Sequence, residues 1–233
     1  MPNFQELKKR VYEANLRLAN AGLVIETFGN VSGIDRPSGC VAIKPSGVPY
    51  DVMTPDHMVV VALADGQVVE GTHRPSVDTP THLTLYRGLS QIGGIAHAHS
   101  LYATAWAQAR RELPVLGTSH ADYCHGPYPC TRSMTPDEIA ANYEANIGKV
   151  ILERLQMLDA SRVPGVLMAN HGPFTWGASA DDAVHHAIIL EHLARLASET
   201  LRVDPYPRLI SQELLDKHYL RKHGTSATYG QKR

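Results

Sequence analysis

Hydrophobic residues along this chain recur at two different spacings, which predict a series of short strands interspersed with helices. An N-terminal helix, closed by Gly22, is predicted from apolar residues at helical spacing: Phe4, Leu7, Val11, Ala14 and Leu18. Short apolar runs bounded by turn residues predict strands at residues 23–27, 31–35, 40–44, 58–63, 67–70, 94–99 and 165–169. Because strands cluster in the first half and the centre, the pattern predicts one α/β domain over residues 1–233, with a mixed sheet and helices on its faces.

Helical periodicity and capping residues predict the remaining helices. Four of them are expected at residues 79–89, 101–109, 179–201 and 211–222. A fifth begins at a capping box formed by Thr135 and Glu138, with Pro136 at its first position. It is predicted to be long and to turn five residues toward the core: Ile139, Tyr143, Ile147, Val150 and Ile151.

Composition narrows the classes of function. The 22 Lys and Arg residues nearly balance 23 Asp and Glu residues, so the basic field that a nucleic acid or membrane surface requires is missing. The longest apolar run, residues 58–64, is far too short to span a membrane, and the polar N-terminus predicts no signal peptide. Three cysteines without close pairing indicate neither a disulfide framework nor a cysteine-based zinc site. The 13 histidines are the unusual feature.

Three of these histidines follow apolar strands in the predicted fold. His97 and His99 are two residues apart, so on a strand their imidazoles project from the same face. His171 follows a second short apolar strand. Three histidines with an open position are typical of a catalytic zinc site, although a His-x-His pair is by itself more often an ordinary packed pair.

Two segments have the residue types of an anion site. Lys44-Pro45-Ser46-Gly47 follows a predicted strand, and its backbone N–H groups, the Lys44 charge and the nearby Asn30 suit a bound anion. An ordinary Pro-Ser-Gly turn is the alternative. Ser76 and Asp78 precede a predicted helix, where a phosphate is favoured, but Asp78 as a simple N-cap explains the same pattern.

Other titratable residues occur where spacing assigns them no role. Asp122 follows His120 in the irregular stretch before residue 132, and His218 is on the last predicted helix. Tyr229 is four residues from the end of the sequence, where side chains usually fray.

Taken in order, the motifs of this chain resemble the class II aldolase/adducin family, and within it the branch of sugar-phosphate 4-epimerases. The resemblance runs essentially from end to end and rests on residues 27–32, 43–48, 76–82, 93–100, 118–123, 171–177, 215–224 and 229–231. A series of this length in the right order is far more specific than any of its motifs.

The resemblance implies a central, largely antiparallel sheet flanked by helices, in a cytoplasmic homotetramer with active sites between subunits. It implies one Zn²⁺ per subunit, with Mn²⁺ or Co²⁺ as alternatives and no nucleotide cofactor. The implied metal residues are His97, His99 and His171, with Asp78 close to the metal. The implied phosphate residues are Asn30, Lys44, Ser46, Gly47 and Ser76.

The adjoining subunit is implied to supply Asp122, His218 and Tyr229, with Asp122 and Tyr229 as the acid/base pair. Arg221, Glu144 and Thr118 match positions with supporting roles. The implied reaction, placed in arabinose catabolism, interconverts L-ribulose 5-phosphate and D-xylulose 5-phosphate. The C3–C4 bond breaks, the aldehyde fragment rotates, and the bond re-forms on the opposite face.

Three alternatives stay open. The first is a related metal-dependent sugar-phosphate aldolase, although the aldolases of the family have a Glu at the position of Asp78. The second is an epimerase for a different or unphosphorylated ketose, because Val77 replaces a second serine of the family's phosphate site. The third is a non-catalytic scaffold, against which the three histidines, Asp122 and Tyr229 count.

Overall fold

Seven strands of the computed structural model, which describes residues 3–156, 158–160, 162–225 and 227–228, form one sheet. The strands are β1 (Asn30–Asp35), β2 (Cys40–Ile43), β3 (Val59–Ala62), β4 (Val68–Glu70), β5 (Gly94–His97), β6 (Gly165–Met168) and β7 (Gly172–Gly177). Their order across the sheet is β4-β3-β2-β1-β5-β7-β6, and every neighbouring pair is antiparallel. Asn30 of β1 pairs with His97 of β5, and His97 pairs in turn with Phe174 of β7.

Eight helices surround the sheet within the described residues. They are α1 (Gln5–Asn20), α2 (Thr79–Gly88), α3 (Leu101–Gln108), α4 (Thr118–Ala121), α5 (Pro136–Ala140), α6 (Tyr143–Leu155), α7 (Ala180–Val203) and α8 (Gln212–His223). A short 3₁₀ turn covers Pro55–His57. None of the helices in this part of the chain is long and apolar enough to cross a membrane.

Both faces of the sheet are buried, as the alternation of side chains along β3 shows. Val60 packs into a core formed with α1 and α7, whereas Val59 and Val61 pack into a second core formed with α2 and α6. The predicted α/β architecture, a central sheet flanked by helices, is therefore confirmed. A mixed sheet was predicted, but the parallel pairing among the described residues is limited to one isolated bridge, Cys130–Leu167.

Close backbone packing joins the sheet to α7. A Cβ atom on Gly93 would lie 2.0 Å from the carbonyl oxygen of Ala178, and one on Gly94 would lie 2.3 Å from the backbone of Ser179. No side chain fits at either position without displacing the start of α7. These two glycines therefore let α7 approach the strand that ends in His97.

Two predicted strands differ from the fold, and two elements of the fold were not predicted. Residues 23–27 form no strand: Glu26 has φ 53°, and the segment turns into Gly29 at φ 79°. The strand predicted at residues 94–99 ends at His97. Strand β7 and the short helix α4 were not predicted, because Gly172 and Pro173 indicate a turn and the stretch around α4 is rich in Pro and Gly.

The long helix predicted from Pro136 is in fact two helices. Asn142, in the left-handed region at φ 51°, separates α5 from α6. The Asn146 side-chain amide donates to the carbonyl oxygens of Glu138 and Ala141, which the break leaves without helical partners. As a result Ile139 and Tyr143, predicted to face the core, are exposed.

Candidate active site

The three histidines converge at one end of the central strands. His97 is the last residue of β5, His99 follows two residues later, and His171 lies in the turn between β6 and β7. Ring centroids in all three pairs are 4.9 Å apart, with interplanar angles between 75° and 87°. One ring nitrogen from each histidine lies within 4.8 Å of the other two. The arrangement is a nearly regular triangle of mutually perpendicular imidazoles.

Hydrogen bonding at this triangle fits a bound cation. His97 Nδ1 donates to the carbonyl oxygen of Pro173 at 2.9 Å, so the lone pair of His97 is on Nε2. That Nε2 lies 3.1 Å from His99 Nε2, close to the separation of about 3.3 Å expected for two imidazoles on a tetrahedral Zn²⁺. The Nδ1 of His171 is buried without a partner among the described residues. The donor set therefore fits a divalent metal.

Burial favours the neutral form of two of these imidazoles, those of His99 and His171. It lowers the pKa of His171 to about 3, with repulsion from His97 and His99 as the further causes. Burial and then repulsion from His97 lower the pKa of His99. Neutral imidazole is the form that binds metals, so the site is ready to bind one at neutral pH.

Asp78 precedes α2 without capping it. Its side chain makes no capping bond to the helix and instead accepts a 2.6 Å hydrogen bond from Asn30 Nδ2. Burial raises the pKa of Asp78, but electrostatic attraction to the His97 and His82 rings and the hydrogen bond from Asn30 outweigh burial, so this pKa lies below its usual value. The explanation of Asp78 as a simple N-cap is therefore wrong. Asp78 is an ionised group that faces the histidine triangle.

A cavity of about 640 Å³ joins the histidines to the predicted phosphate residues. Its wall includes every metal and phosphate residue expected from the sequence: His97, His99, His171, Asp78, Asn30, Lys44, Ser46, Gly47 and Ser76. Glu144 and Val77 also line it. The residues that the sequence pattern assigned to two separate sites thus face one space.

Lys44 is a buried cation without an ion-pair partner among the described residues. Only 1% of the residue is exposed, and burial lowers the pKa of its ammonium to about 8. Within the described part of the chain, its Nζ donates to two backbone acceptors, the carbonyl oxygens of Thr27 and Pro45, at 3.3 and 3.4 Å. A buried, unpaired charge is costly, so this environment favours an anion as the missing partner.

Two loops form the rest of the anion pocket. The Ser46 N–H donates to the backbone carbonyl oxygen of Arg74, and the Ser76 N–H donates to that of Lys44. These two hydrogen bonds hold the loops side by side. The N–H groups of Gly47, at φ 71°, and of Val77 have no acceptor within the described part of the chain. Backbone N–H donors without acceptors beside a lysine suit a phosphate.

A second cluster of predicted residues lies outside the cavity. The Asp122 carboxylate accepts hydrogen bonds from His218 Nδ1 at 3.0 Å and from Arg221 Nη2 at 3.1 Å. Burial raises the pKa of Asp122, but these hydrogen bonds outweigh it and the pKa is lowered. Thr118 accepts a backbone hydrogen bond from Asp122. Tyr229 lies outside the described residues.

The sequence pattern did not indicate several of the residues that line the cavity. They are Thr27, Phe28, Thr104, Gln108, Tyr143 and Asn170. Tyr143 was assigned to the core because the apolar periodicity continues across the helix break, yet its ring lies nearly parallel to that of His171. Asn170 has φ 62°, and its position directly before His171 was the available signal.

Comparison with known proteins assigns this arrangement to a family. The sequence matches the profile of the family described as Class II Aldolase and Adducin N-terminal domain over residues 9–198. It is 51% identical over 228 residues to the L-ribulose-5-phosphate 4-epimerases UlaF of Salmonella paratyphi B and Salmonella typhi, covering 98% of this chain and 100% of each relative.

Solved structures share the fold. An L-fuculose 1-phosphate aldolase superimposes with a TM-score of 0.76 at 26% identity, covering 91% of this chain and 94% of the aldolase. The L-fuculose 1-phosphate aldolase of Glaciozyma antarctica PI12 has a TM-score of 0.74 at 20% identity, covering 97% of this chain and 88% of the other, and supports the fold alone.

Proposed function

This chain belongs to the class II aldolase and adducin family, and from that premise we propose that it is a metal-dependent carbohydrate isomerase, an L-ribulose-5-phosphate 4-epimerase. It interconverts L-ribulose 5-phosphate and D-xylulose 5-phosphate. The observation that carries the proposal is 51% identity to enzymes of that name over 98% of this chain. The cavity supports it, because one space holds a metal-type histidine triangle and a pocket suited to phosphate.

We propose that His97, His99 and His171 hold the metal, with Asp78 next to it. A divalent ion there would act as a Lewis acid on the ketose oxygens at C2 and C3. The donor set is compatible with Zn²⁺, one per subunit, and with Mn²⁺ or Co²⁺. We propose no nucleotide cofactor.

Lys44, Ser46, Gly47, Ser76 and Asn30 are proposed to bind the phosphate. Anchoring the phosphate keeps the aldehyde fragment in the cavity after the C3–C4 bond has broken. The electron pair of that bond stays with the fragment that contains C3, and the proton of the C4 hydroxyl passes to an acid/base group. The aldehyde then turns over, C3 adds to its other face, and the C4 oxygen receives a proton from a second group.

Asp122 and Tyr229 are proposed as this acid/base pair, with His218 as a further catalytic group and Arg221, Thr118 and Glu144 in support. Asp122, His218 and Arg221 do not line the cavity of their own chain, which agrees with their reaching the site of a neighbouring subunit. We therefore propose a homotetramer with shared active sites. The single domain over residues 1–233, the cytoplasmic location and the place in arabinose catabolism stay predictions of the family resemblance.

Product analysis with L-ribulose 5-phosphate tests the function. The epimerase yields D-xylulose 5-phosphate without free fragments. Accumulation of dihydroxyacetone and glycolaldehyde phosphate alone would identify an aldolase on the same fold, which is the second candidate because of the likeness to L-fuculose 1-phosphate aldolase. Equal turnover of unphosphorylated L-ribulose would contradict the phosphate pocket, and a protein that binds no metal would be a scaffold.

A further inference from the structure

Tyr50 lies behind the anion pocket and contacts its buried cation. The Lys44 ammonium lies over the Tyr50 ring, 4.6 Å from the ring centroid. Tyr50 is not among the residues that line the cavity, and its partly buried ring packs against the core that contains α1 and α7. Among the described residues, no side chain forms a hydrogen bond or ion pair with this ammonium. The aromatic face of Tyr50 stabilises the cation without neutralising it.

The Tyr50 hydroxyl also holds the turn that leads into β1. It lies 3.1 Å from the carbonyl oxygen of Phe28 and 2.9 Å from that of Gly29, so its hydrogen is shared between two acceptors. The preceding residue of the turn, Thr27, accepts the hydrogen bond from Lys44. One side chain thus contacts both the ammonium and the backbone that surrounds it.

The same turn packs against the metal side of the cavity. Gly29 has φ 79°, and a Cβ atom there would lie 3.0 Å from the carbonyl oxygen of His97. The turn therefore touches the backbone of a proposed metal ligand while Tyr50 holds it from behind. The distance between the cation and the histidine triangle depends on this turn staying in place.

We propose that Tyr50 is a positioning residue for anion binding, which holds the Lys44 ammonium at the cavity wall and fixes the turn at residues 27–29 between Lys44 and His97. This inference rests on the proposed function in taking the anion to be the phosphate of the sugar. A carboxylate in place of the Tyr50 ring would neutralise Lys44 and compete with the substrate. The aromatic ring orients the charge and leaves it available.

Calorimetric titration of the metal-loaded protein with inorganic phosphate tests the proposal. Tyr50→Leu removes the ring and the hydroxyl, and we expect phosphate to bind about tenfold more weakly. Tyr50→Phe keeps the ring over Lys44 and loses only the contacts to the turn, so we expect about threefold weaker binding. Tyr12→Phe is the matched control, because Tyr12 packs against the same core and its hydroxyl has no partner among the described residues.

Kinetics separate positioning from general structural damage. In both Tyr50 variants we expect the KM for L-ribulose 5-phosphate to rise by the same factor as the phosphate Kd, with kcat, metal content and Tm close to wild type. If Tyr50→Leu does not fold, the comparison of Tyr50→Phe with Tyr12→Phe still decides the question. Phosphate affinity equal to wild type in Tyr50→Phe, or an equal loss in Tyr12→Phe, would overturn the proposal.

Lys44→Met distinguishes this proposal from the function on which it rests. Loss of phosphate binding in Lys44→Met, together with the graded losses in the Tyr50 variants, supports both. Loss in Lys44→Met with wild-type affinity in both Tyr50 variants would overturn the role of Tyr50 and leave the phosphate pocket intact. Wild-type affinity in Lys44→Met would contradict the phosphate pocket itself.

Discussion

The imidazole of His97 stacks on the ring of Phe174, with centroids 4.1 Å apart and planes 12° from parallel. Phe174 is the direct neighbour of His97 across the β5–β7 ladder, and Pro173, one residue earlier, accepts the Nδ1 hydrogen bond. Ring and backbone contacts from one strand thus fix both the plane and the tautomer of His97. A ligand held in this way needs little rearrangement to bind a metal.

Replacing His97 should remove the metal while leaving the fold. We expect His97→Gln to lower metal affinity by at least about tenfold, because the loss of a ligand exceeds the usual effect of losing its outer partner. Metal analysis of the purified protein measures this. His186→Gln is the control, since His186 bonds to the carbonyl of Trp176 outside the cavity. Wild-type metal content in His97→Gln would show that the metal binds elsewhere.

Activity should decline in alkali through the titration of Lys44. Burial lowers the pKa of this ammonium to about 8, so its charge is present below that pH and lost above it. The kcat/KM for L-ribulose 5-phosphate is therefore expected to fall as the pH rises through about 8. Lys44→Met should abolish this limb of the pH profile, and Lys149→Met, at an exposed lysine, should keep it. An unchanged limb in Lys44→Met would assign it to another group.

A hydroxyl at position 77 should strengthen phosphate binding. Val77 lines the cavity beside Ser76 and is 60% exposed, so a serine side chain there has room to donate. We expect Val77→Ser to lower the KM for the phosphorylated ketose by at least about tenfold, because a hydrogen bond to a charged group contributes about 1.5–3 kcal/mol. Val77→Ala removes the same bulk without adding a donor and should change KM little. Equal KM values in the two variants would place the phosphate away from residue 77.

Asp122 should control how firmly α8 is held. Its carboxylate binds His218 and Arg221, and its carbonyl oxygen accepts from His223. We expect Asp122→Asn to speed amide hydrogen exchange in α8 roughly fivefold, about 1 kcal/mol, because the charged acceptor is lost. Asp51→Asn, on an exposed loop, is the control. Unchanged exchange in α8 would show that the apolar contacts of this helix suffice.

The pH dependence of this effect follows from the lowered pKa of Asp122. A carboxyl with a lowered pKa in the folded state stabilises above its unfolded value, near 3.8, and loses that contribution as the pH falls through its folded value. The difference between wild type and Asp122→Asn is therefore expected in full at pH 7. It should narrow below about pH 4. Exchange measured at several pH values checks this.

Mixing two inactive proteins should restore activity if sites are shared between subunits. In a cyclic tetramer, a site is intact when an Asp122→Asn subunit supplies the histidines and its neighbour, a His97→Gln subunit, supplies Asp122. Random mixing gives about a quarter of the wild-type sites. Activity assays of tetramers verified to contain both variants measure this recovery, with each variant remixed with itself as the control. No recovery would assign both residues to one chain.

The sequence predicted the parts of this molecule whose cause is local. The continuous apolar run of β3, which is buried on both faces, and the helical spacing of α1 and α7 follow directly from burial, and the confirmed architecture rests on them. The segment at residues 23–27 has strand-like residues but no partner strand among the described residues, so it leads instead into the turn at residues 27–29 that Tyr50 contacts. Pairing across the sheet, which propensity does not encode, decided that difference.

The same distinction between local and long-range causes applies to the histidines and the anion loops. Two-residue spacing indicated that His97 and His99 share a face, but the union of their site with Lys44 in one cavity depends on the order of strands. The break at Asn142 depends on the amide of Asn146, four residues later, and so a periodic pattern did not predict it. No sequence motif indicated the role of Tyr50, because that role consists of contacts with Lys44, six positions earlier, and with the turn at Phe28, twenty-two positions earlier.

The pairing of Asn30 with His97 has a consequence for the order of assembly. Both residues belong to strands that have neighbouring strands on each side, so the pairing that positions them needs no cation. We therefore expect the metal-free chain to complete its binding site as it folds, with cation binding as a separate, later event. This is the opposite of a zinc finger, in which the ion organises the polypeptide. Exchange of one metal for another should consequently proceed in the native state, at a rate set by ligand dissociation and independent of denaturant at low concentration.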